Sequence, residues 1–175
     1  AEDWRFFNHY GLSFKGIVRS LLVNMYNGRR VQGASTITQQ LVRLLFFDTK
    51  KTFTRKIKEQ FYAILVEQQY TKEQLLEAYL NHAYFGCGIY GVEAASQRFW
   101  GKHAAALTVE QAATLAGIVQ LPEVYCPLVY PLSAQKRRNV VLGNMCRLGY
   151  ITKTEYNEAK NLPVAVYKAE QEVQA

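Results

Sequence analysis

The sequence carries apolar residues at helical spacing along most of its length, and this pattern restricts the chain to a mainly α fold. Three threonines are each followed three positions later by Gln or Glu, which is the capping box that satisfies free amides in the first turn of a helix. These threonines are Thr71, Thr108 and Thr152. The pattern predicts helices over residues 35–47, 53–69, 72–83, 108–119 and 134–148. No segment alternates as a strand would, and 175 residues suffice for one domain with a full core.

Clusters of glycine and proline mark two interruptions of the helical pattern. Gly86, Gly88 and Gly91 are interleaved with aromatic residues and predict a tight, irregular turn. Three prolines predict an extended loop between two helices. They are Pro122, Pro127 and Pro131.

Cysteine and histidine spacing matches no metal or redox motif. Cys87, Cys126 and Cys146 are an odd number, and we expect them to serve packing. His9, His82 and His103 are scattered and lack the spacing of metal ligands, so we expect structural roles for them.

The positive charge of the chain is concentrated near its start. Residues 1–60 contain eleven Lys and Arg against four acidic residues, whereas the other 115 residues contain ten of each, and the net charge is +7. This surplus suits an anionic partner, such as nucleic acid, a membrane surface or a phosphate-bearing substrate. A solvated basic face explains it equally well.

Residues 12–32 mix apolar side chains with Lys15, Arg19, Arg29 and Arg30. A helix of this kind can lie in a membrane interface, and a buried helix with a basic end is the alternative. No apolar run approaches the roughly 20 residues of a membrane span. We therefore expect any membrane anchor or export signal to lie outside this chain.

Three polar segments carry candidate chemistry. Glu2 and Asp3 precede Trp4, Phe6 and Phe7, and an aromatic surrounding suits a carboxylate that exchanges a proton, although such a pair near a terminus is usually only solvated. Arg55 and Lys56 share a helix face with Glu59, as either a diphosphate site or a surface salt-bridge ladder. The turn from Gly33 into a helix is a natural anion site or a simple cap. Its polar residues are Ser35, Thr36, Gln39, Gln40 and Arg43.

The order and spacing of five motifs resemble the peptidoglycan glycosyltransferases, family 51 of the glycosyltransferases. The motifs are Glu2-Asp3-x-x-Phe6-x-x-His9-x-Gly11; Gly33-x-Ser35-Thr36-Ile37-x-Gln39-Gln40-Leu41; Arg55-Lys56-x-x-Glu59; Leu76-x-x-Tyr79-Leu80-Asn81 running into Tyr84-Phe85-Gly86-x-Gly88-x-Tyr90-Gly91; and Arg137-Arg138-x-x-Val141-Leu142. Chance agreement of five ordered motifs is very improbable.

The resemblance implies a mostly helical, lysozyme-like head with a smaller membrane-facing jaw. Residues 1–162 would form the glycosyltransferase domain, with the jaw at 12–32 and a tail at 163–175. The activity implied is polymerisation of lipid II into β-1,4-linked glycan strands, with inversion and release of undecaprenyl pyrophosphate.

The resemblance also implies roles for individual residues. Glu2 would act as general base on the acceptor hydroxyl, and Glu59 would assist at the pyrophosphate, directly or through a divalent cation such as Mg²⁺ or Mn²⁺. Cationic side chains would offset the phosphate charge, namely Arg43, Lys51, Arg55 and Lys56. Polar side chains would bind other substrate groups, namely Asp3, Ser35, Gln39 and Gln40.

The partners implied are lipid II, the growing glycan strand and the membrane surface, with no nucleic acid, and other cell-wall synthesis proteins are compatible with the resemblance. The location implied is the outer, periplasmic face of the bacterial cytoplasmic membrane. Two alternatives stay open at this point. One is a lysozyme-like enzyme that cleaves glycan with a glutamic acid, and the other is a non-catalytic module that binds anionic membranes.

Overall fold

A computed structural model describes residues 2–28, 35–47 and 52–167 and confirms the mainly α class. These residues contain no β-strand, only an isolated bridge between Tyr84 and Tyr90. One 3₁₀ turn, Phe6–Asn8, precedes the α-helices, and a second, Ala104–Ala106, lies farther along the chain. The α-helices are α1 (Phe14–Tyr26), α2 (Ile37–Phe46), α3 (Phe53–Gln69), α4 (Lys72–His82), α5 (Val92–Trp100), α6 (Val109–Ile118), α7 (Pro122–Tyr125), α8 (Pro131–Arg147) and α9 (Lys153–Asn161).

The helix starts follow the predicted caps. The Thr108 and Thr152 hydroxyls accept from the amides three residues later, and the side chains of Gln111 and Glu155 bond back to the capping amides. Thr71 and Gln74 form the same reciprocal pair at 3.3 and 2.9 Å. Local chemistry therefore determines these starts.

Two elements differ from the predictions. The predicted proline-rich loop contains the short helix α7, because Pro122 occupies the first helical position, where its missing N–H costs nothing. Helix α5 was not predicted, and it begins directly after Gly91, whose φ is +85°. The glycine turn itself is confirmed, with φ of +82° at Gly86 and +77° at Gly88.

Contacts between Cα atoms divide the described chain into two compact units, residues 2–82 and residues 83–167. In the first unit α2 packs against both α3 and α4. The buried apolar side chains of the described part of this unit are Phe6, Leu41, Val42, Ala63, Leu75 and Tyr79. Every described residue of the candidate site lies in this unit.

The second unit packs α6 against α8, with α9 beside them. Its core contains Ala113, Val141, Leu142, Ile151 and Ala159. Arg138, from the fifth motif, is buried and donates to the carbonyls of Lys160 and Leu162, so it fastens the end of α9 to α8.

Residues 163–167, the start of the predicted tail, contact the end of α5. The Trp100 indole donates to the Ala165 carbonyl at 2.8 Å, and the Tyr167 amide donates to the Phe99 carbonyl at 2.6 Å. These five residues are therefore attached to the second unit.

The prediction that all three cysteines serve packing is wrong. Cys87 in the glycine turn and Cys126 after α7 form a disulfide, with Cα atoms 6.3 Å apart. Cys146 is a free thiol. Spacing could not show the pairing, because the fold brings together residues separated by 39 positions.

The predicted jaw, residues 12–32, is described as far as Gly28 and contains α1. Several of its apolar side chains are exposed, among them Val18, Leu22, Met25 and Tyr26. No helix in the described ranges is long and apolar enough to cross a membrane.

Candidate active site

The first turn of α2 is the centre of the site, and three contacts fix its position. The Thr36 hydroxyl accepts from the Gln39 amide at 3.2 Å and donates to the Gly11 carbonyl at 2.7 Å. The Ile37 amide donates to Asp3 Oδ2 at 3.3 Å. A carboxylate is favourable here, because free amides and the helix dipole give the N-terminus partial positive charge.

Asp3 also pairs with His9 from the same motif. His9 Nε2 lies 2.9 Å from Asp3 Oδ2, and both side chains are more than nine-tenths buried. An ionised carboxylate only accepts hydrogen bonds, so Nε2 carries the proton in this pair. The contacts show Asp3 linking His9 to the start of α2, and its substrate-binding role stays a prediction.

Glu2 contacts α2 through a hydrogen bond from the side-chain amide of Gln40. Gln40 Nε2 donates to Glu2 Oε2 at 3.5 Å, and Gln40 Oε1 accepts from the Tyr79 hydroxyl at 3.2 Å. Both ends of the Gln40 amide are therefore engaged. The contact with the amide N–H therefore restricts the orientation of the Glu2 carboxylate.

Lys56 is the centre of a second polar group, one turn into α3. Its Nζ donates to Ser35 Oγ at 3.0 Å, to Gln39 Oε1 at 3.2 Å and to Glu59 Oε2 at 3.1 Å. An ammonium has three N–H donors, so each has an acceptor. Its side chain remains 35% exposed, which keeps the cation within reach of solvent.

Glu59 is buried between two cations of its own helix. Arg55 Nε lies 3.0 Å from Glu59 Oε1, and Lys56 Nζ contacts the other oxygen. The Glu59 residue is only 1% exposed, which excludes the solvated surface ladder considered from the sequence. A buried carboxylate needs such partners, since an unpaired charge in the interior is costly.

Adjacent glutamines of α2 join these two groups. Gln40 contacts Glu2, while Gln39, one residue earlier, contacts Lys56. The same turn of one helix thus holds a carboxylate on one side and a cation cluster on the other. Sequence motifs had indicated the residue types but not that α2 connects them.

Of the remaining predicted site residues, the structure describes Arg43 but not Lys51. Arg43 lies one turn after Gln39 on α2, near enough to oppose the rise in the Tyr79 pKa that burial and the Glu2 charge produce. Lys51, with Gly33 and Ala34 of the second motif, lies outside the described residues.

The surroundings of Glu59 do not fit a resident divalent cation. Both of its oxygens face cationic side chains. Across residues 2–28, 35–47 and 52–167, no three His, Cys, Asp or Glu side chains come together as a metal site requires. We therefore derive no chemical step through a metal.

Sequence reasoning missed Tyr79 as a contact of Gln40. It also missed a partly buried ion pair that contacts α2, in which Lys72 Nζ lies 2.6 Å from Glu67 Oε1, and Glu67 Oε1 accepts from the Thr38 hydroxyl. Lys72 Nζ stands 4.5 Å from the centre of the Phe6 ring. Tyr79 belongs to the fourth motif, and this was the sequence signal that could have identified it as a residue of the site.

The fold and the site together define a class, a mainly helical domain that carries the carboxylates, amides and cations of a group-transfer enzyme. The profile of the Transglycosylase family matches residues 1–146. The chain therefore belongs to the transglycosylase family, and the resemblance seen in the five motifs is confirmed.

Several penicillin-binding proteins are similar to the chain. It is 47% identical over 168 residues to penicillin-binding protein 1A of Aquifex aeolicus (strain VF5), covering 96% of this chain and 23% of that protein. It is 43% identical over 166 residues to penicillin-binding protein 1A of Streptococcus oralis, covering 93% of this chain and 26% of that protein. The chain thus spans about a quarter of the length of these relatives.

A solved structure supports the fold. The 2.6 Å crystal structure of penicillin-binding protein 1A from Haemophilus influenzae matches 79% of this chain and 18% of its own, with a TM-score of 0.51 and 27% sequence identity.

Proposed function

We propose that the chain is a peptidoglycan glycosyltransferase that polymerises lipid II into β-1,4 glycan strands and releases undecaprenyl pyrophosphate. The observation that carries the proposal is the first turn of α2, where Gln40 contacts Glu2 and Gln39 contacts the Lys56 cluster. A glycosyl transfer from a lipid pyrophosphate needs both a base for the attacking hydroxyl and cations for the leaving diphosphate. Membership of the transglycosylase family supports the same reaction type.

Glu2 is the general base in this mechanism. It takes the proton of the acceptor GlcNAc 4-hydroxyl as that oxygen attacks the anomeric carbon of the donor strand. The new carbon–oxygen bond forms as the bond to the lipid pyrophosphate breaks on the opposite face, which inverts the configuration. The Gln40 amide orients the carboxylate until the proton arrives.

Lys56 and Arg55 offset the charge that develops on the departing diphosphate. A phosphate oxygen reaches Lys56 by replacing one of its neutral acceptors, Ser35 or Gln39, while Glu59 stays in place. Because these cations are held by Glu59 before substrate binds, little reorganisation is needed during the reaction. The roles of Arg43 and Lys51 in offsetting the same charge, implied by the family resemblance, stay predictions.

Exposed apolar side chains support contact between the first unit and a lipid surface. Besides those of α1, exposed apolar residues occur at the end of α2 and along α3, namely Leu44, Leu45, Phe46, Phe53, Ile57 and Phe61. Exposed Arg19 and Lys58 accompany them, which suits anionic headgroups. The Cys87–Cys126 disulfide suits an oxidising compartment outside the cytoplasm, and we propose the outer face of the cytoplasmic membrane as the location.

The two alternative functions have less support. A lysozyme-like glycan cleaver acts on a neutral polymer and has no need for two cations on a buried glutamate. A non-catalytic membrane module has no need for an amide that holds Glu2. Neither alternative accounts for the arrangement along α2.

Polymerisation of lipid II by the Glu2→Gln variant tests the proposal. We expect a loss of at least about 100-fold in rate, since general-base catalysis contributes this much, while binding of lipid II is kept. Glu73→Gln, an exposed change of the same kind on α4, serves as the control and should polymerise normally. Full activity of Glu2→Gln would contradict the proposal. Cleavage of finished glycan by the wild type without release of undecaprenyl pyrophosphate would favour the cleaver.

A further inference from the structure

Tyr79 is buried in the first unit and contacts the site through a single polar atom. It lies on α4, is 4% exposed, and directs its hydroxyl to Gln40 Oε1 at 3.2 Å. Helix α4 packs against α2, and this packing brings Tyr79 to Gln40, which is 39 positions away along the chain. The Tyr79 ring contributes to the core, and among the described residues its hydroxyl contacts Gln40.

Two hydrogen bonds connect the Tyr79 hydroxyl to the Gln40 amide and the Gln40 amide to the Glu2 carboxylate. The charge of Glu2 determines which atom is the donor in each bond. An ionised carboxylate only accepts hydrogen bonds, so the amide nitrogen of Gln40 faces Glu2 and the amide oxygen faces Tyr79. Because that oxygen has no proton to give, the Tyr79 hydroxyl is the donor. The direction of donation is therefore fixed from Tyr79 to Gln40 to Glu2.

The tyrosine hydroxyl keeps its proton in this environment. Burial raises the Tyr79 pKa well above its ordinary value of 10.0, the charge of Glu2 raises it further, and Arg43 opposes this in part. The hydroxyl therefore keeps its proton and remains a donor at neutral pH. A donor that stays protonated suits an orienting role and does not suit the proton acceptor of the reaction.

We propose that Tyr79 is a positioning residue, which holds the Gln40 amide so that its N–H is directed at the Glu2 carboxylate. The proposal rests on the proposed function of Glu2 as general base. Without the hydroxyl, the Gln40 side chain can turn its oxygen towards Glu2, which would place two acceptors together and displace the carboxylate. Since Tyr79 contacts Gln40 and not the reacting atoms, its loss lowers the rate of the chemical step and leaves substrate binding intact.

The test is a set of variants assayed for kcat and KM on lipid II with the whole chain. Tyr79→Phe removes only the hydroxyl, and we expect kcat to fall about tenfold with KM changed by less than about twofold, the cost of one hydrogen bond to a charged network. Gln40→Met removes both amide contacts at similar volume and should lower kcat at least as much. The double variant should equal Gln40→Met alone, because the hydroxyl acts only through the amide. Tyr156→Phe, which removes the hydroxyl of a partly buried tyrosine packed against the core of the other unit, should match the wild type.

Three results would overturn the positioning role. One is an unchanged kcat in Tyr79→Phe, another is a rise in KM alone, and the third is a double variant whose losses multiply. If Tyr79→Phe does not fold, the test depends on Gln40→Met. An unchanged kcat in Gln40→Met would then contradict the positioning role. Glu2→Gln in the same assay separates the two proposals. If it retains activity, the general-base function fails, whereas an inactive Glu2→Gln beside a normal Tyr79→Phe rejects positioning only.

Discussion

Lys56 Nζ lies 3.2 Å from Gln39 Oε1, and this contact joins the start of α3 to the first turn of α2. The cation is therefore anchored on one side by a neutral amide and on the other by the buried carboxylate of Glu59. These two anchors differ in strength, because the contact with Glu59 joins two opposite charges, whereas the contact with Gln39 joins a charge to a neutral amide. An incoming anion can displace the amide and leave the ion pair intact.

Lys56→Gln should weaken the binding of lipid II. Loss of a charged hydrogen bond to the diphosphate costs about 1.5–3 kcal/mol, or roughly tenfold to a hundredfold in Kd. The measurement is Kd for lipid II over a range of salt concentrations. Affinity should also depend less on salt than in the wild type, because one screened charge contact is gone.

Lys58→Gln is the matched control for this variant, since it removes the same charge from an exposed position of the same helix. We expect little change in its Kd. Equal losses in the two variants would mean that the general positive field attracts the substrate and that Lys56 makes no specific contact.

The sequence predicted helices where the determinants are local. Each threonine cap operates within four residues, so Thr108 and Thr152 mark α6 and α9 without knowledge of the rest of the chain. Helix α5 was not predicted, because only part of its nine residues is apolar and the burial of Phe99 and Trp100 depends on contacts elsewhere in the fold.

The residues of the site were predictable from ordered motifs, but their connections were not. Motifs identify Glu2, Gln40 and Tyr79 as members of the family pattern, yet the contacts Tyr79 to Gln40 and Gln40 to Glu2 span 39 and 38 positions. Such pairs form only when helices pack. The disulfide, at a separation of 39, was misjudged for the same reason.

Removal of the disulfide should destabilise the chain. Cys87→Ser with Cys126→Ser opens a loop of 39 positions, and the entropy regained by the unfolded chain corresponds to a loss of about 2–4 kcal/mol in the free energy of unfolding. Urea unfolding of the non-reduced proteins measures this difference. Cys146→Ser, at the free thiol, is the control and should unfold near the wild-type midpoint. Equal midpoints for all proteins would show that the disulfide contributes nothing.

Glu93 should make the stability depend on pH in the acidic range. The Ala104 amide lowers its pKa below the ordinary 4.5, with further lowering from Gln97 and His103. A lowered folded pKa means that the stabilisation is present above the unfolded pKa and is lost as pH falls through the folded pKa. Melting temperatures measured from pH 6 to about pH 3 should therefore fall less in Glu93→Gln than in the wild type. Glu158→Gln, exposed on α9, is the control, and a wild-type acid response in Glu93→Gln would contradict the prediction.

Gly11 should be the more sensitive of two glycines with left-handed backbones. Gly11 has φ of +64° and Gly28 has φ of +59°, so alanine is strained at both, by about 1 kcal/mol. At Gly11 an added Cβ lies 2.8 Å from the Ala63 carbonyl oxygen on α3, whereas at Gly28 no atom of the described residues, apart from the chain neighbours, lies within 4 Å of it. Relief of this clash moves the Gly11 carbonyl, which accepts a hydrogen bond from the Thr36 hydroxyl at the start of α2.

Gly11→Ala should therefore cost about 1–3 kcal/mol more in the free energy of unfolding than Gly28→Ala, the usual range for overpacking against fixed atoms. Because both variants carry the same backbone strain, their difference in urea unfolding isolates the contact with α3. The same contact connects to the site, since Thr36 caps the helix that holds Gln39 and Gln40. Gly11→Ala should lower polymerisation at temperatures where it is still folded, while Gly28→Ala should not. Equal destabilisation of the two variants would show that α3 yields to the added methyl and that the position of α2 does not depend on Gly11.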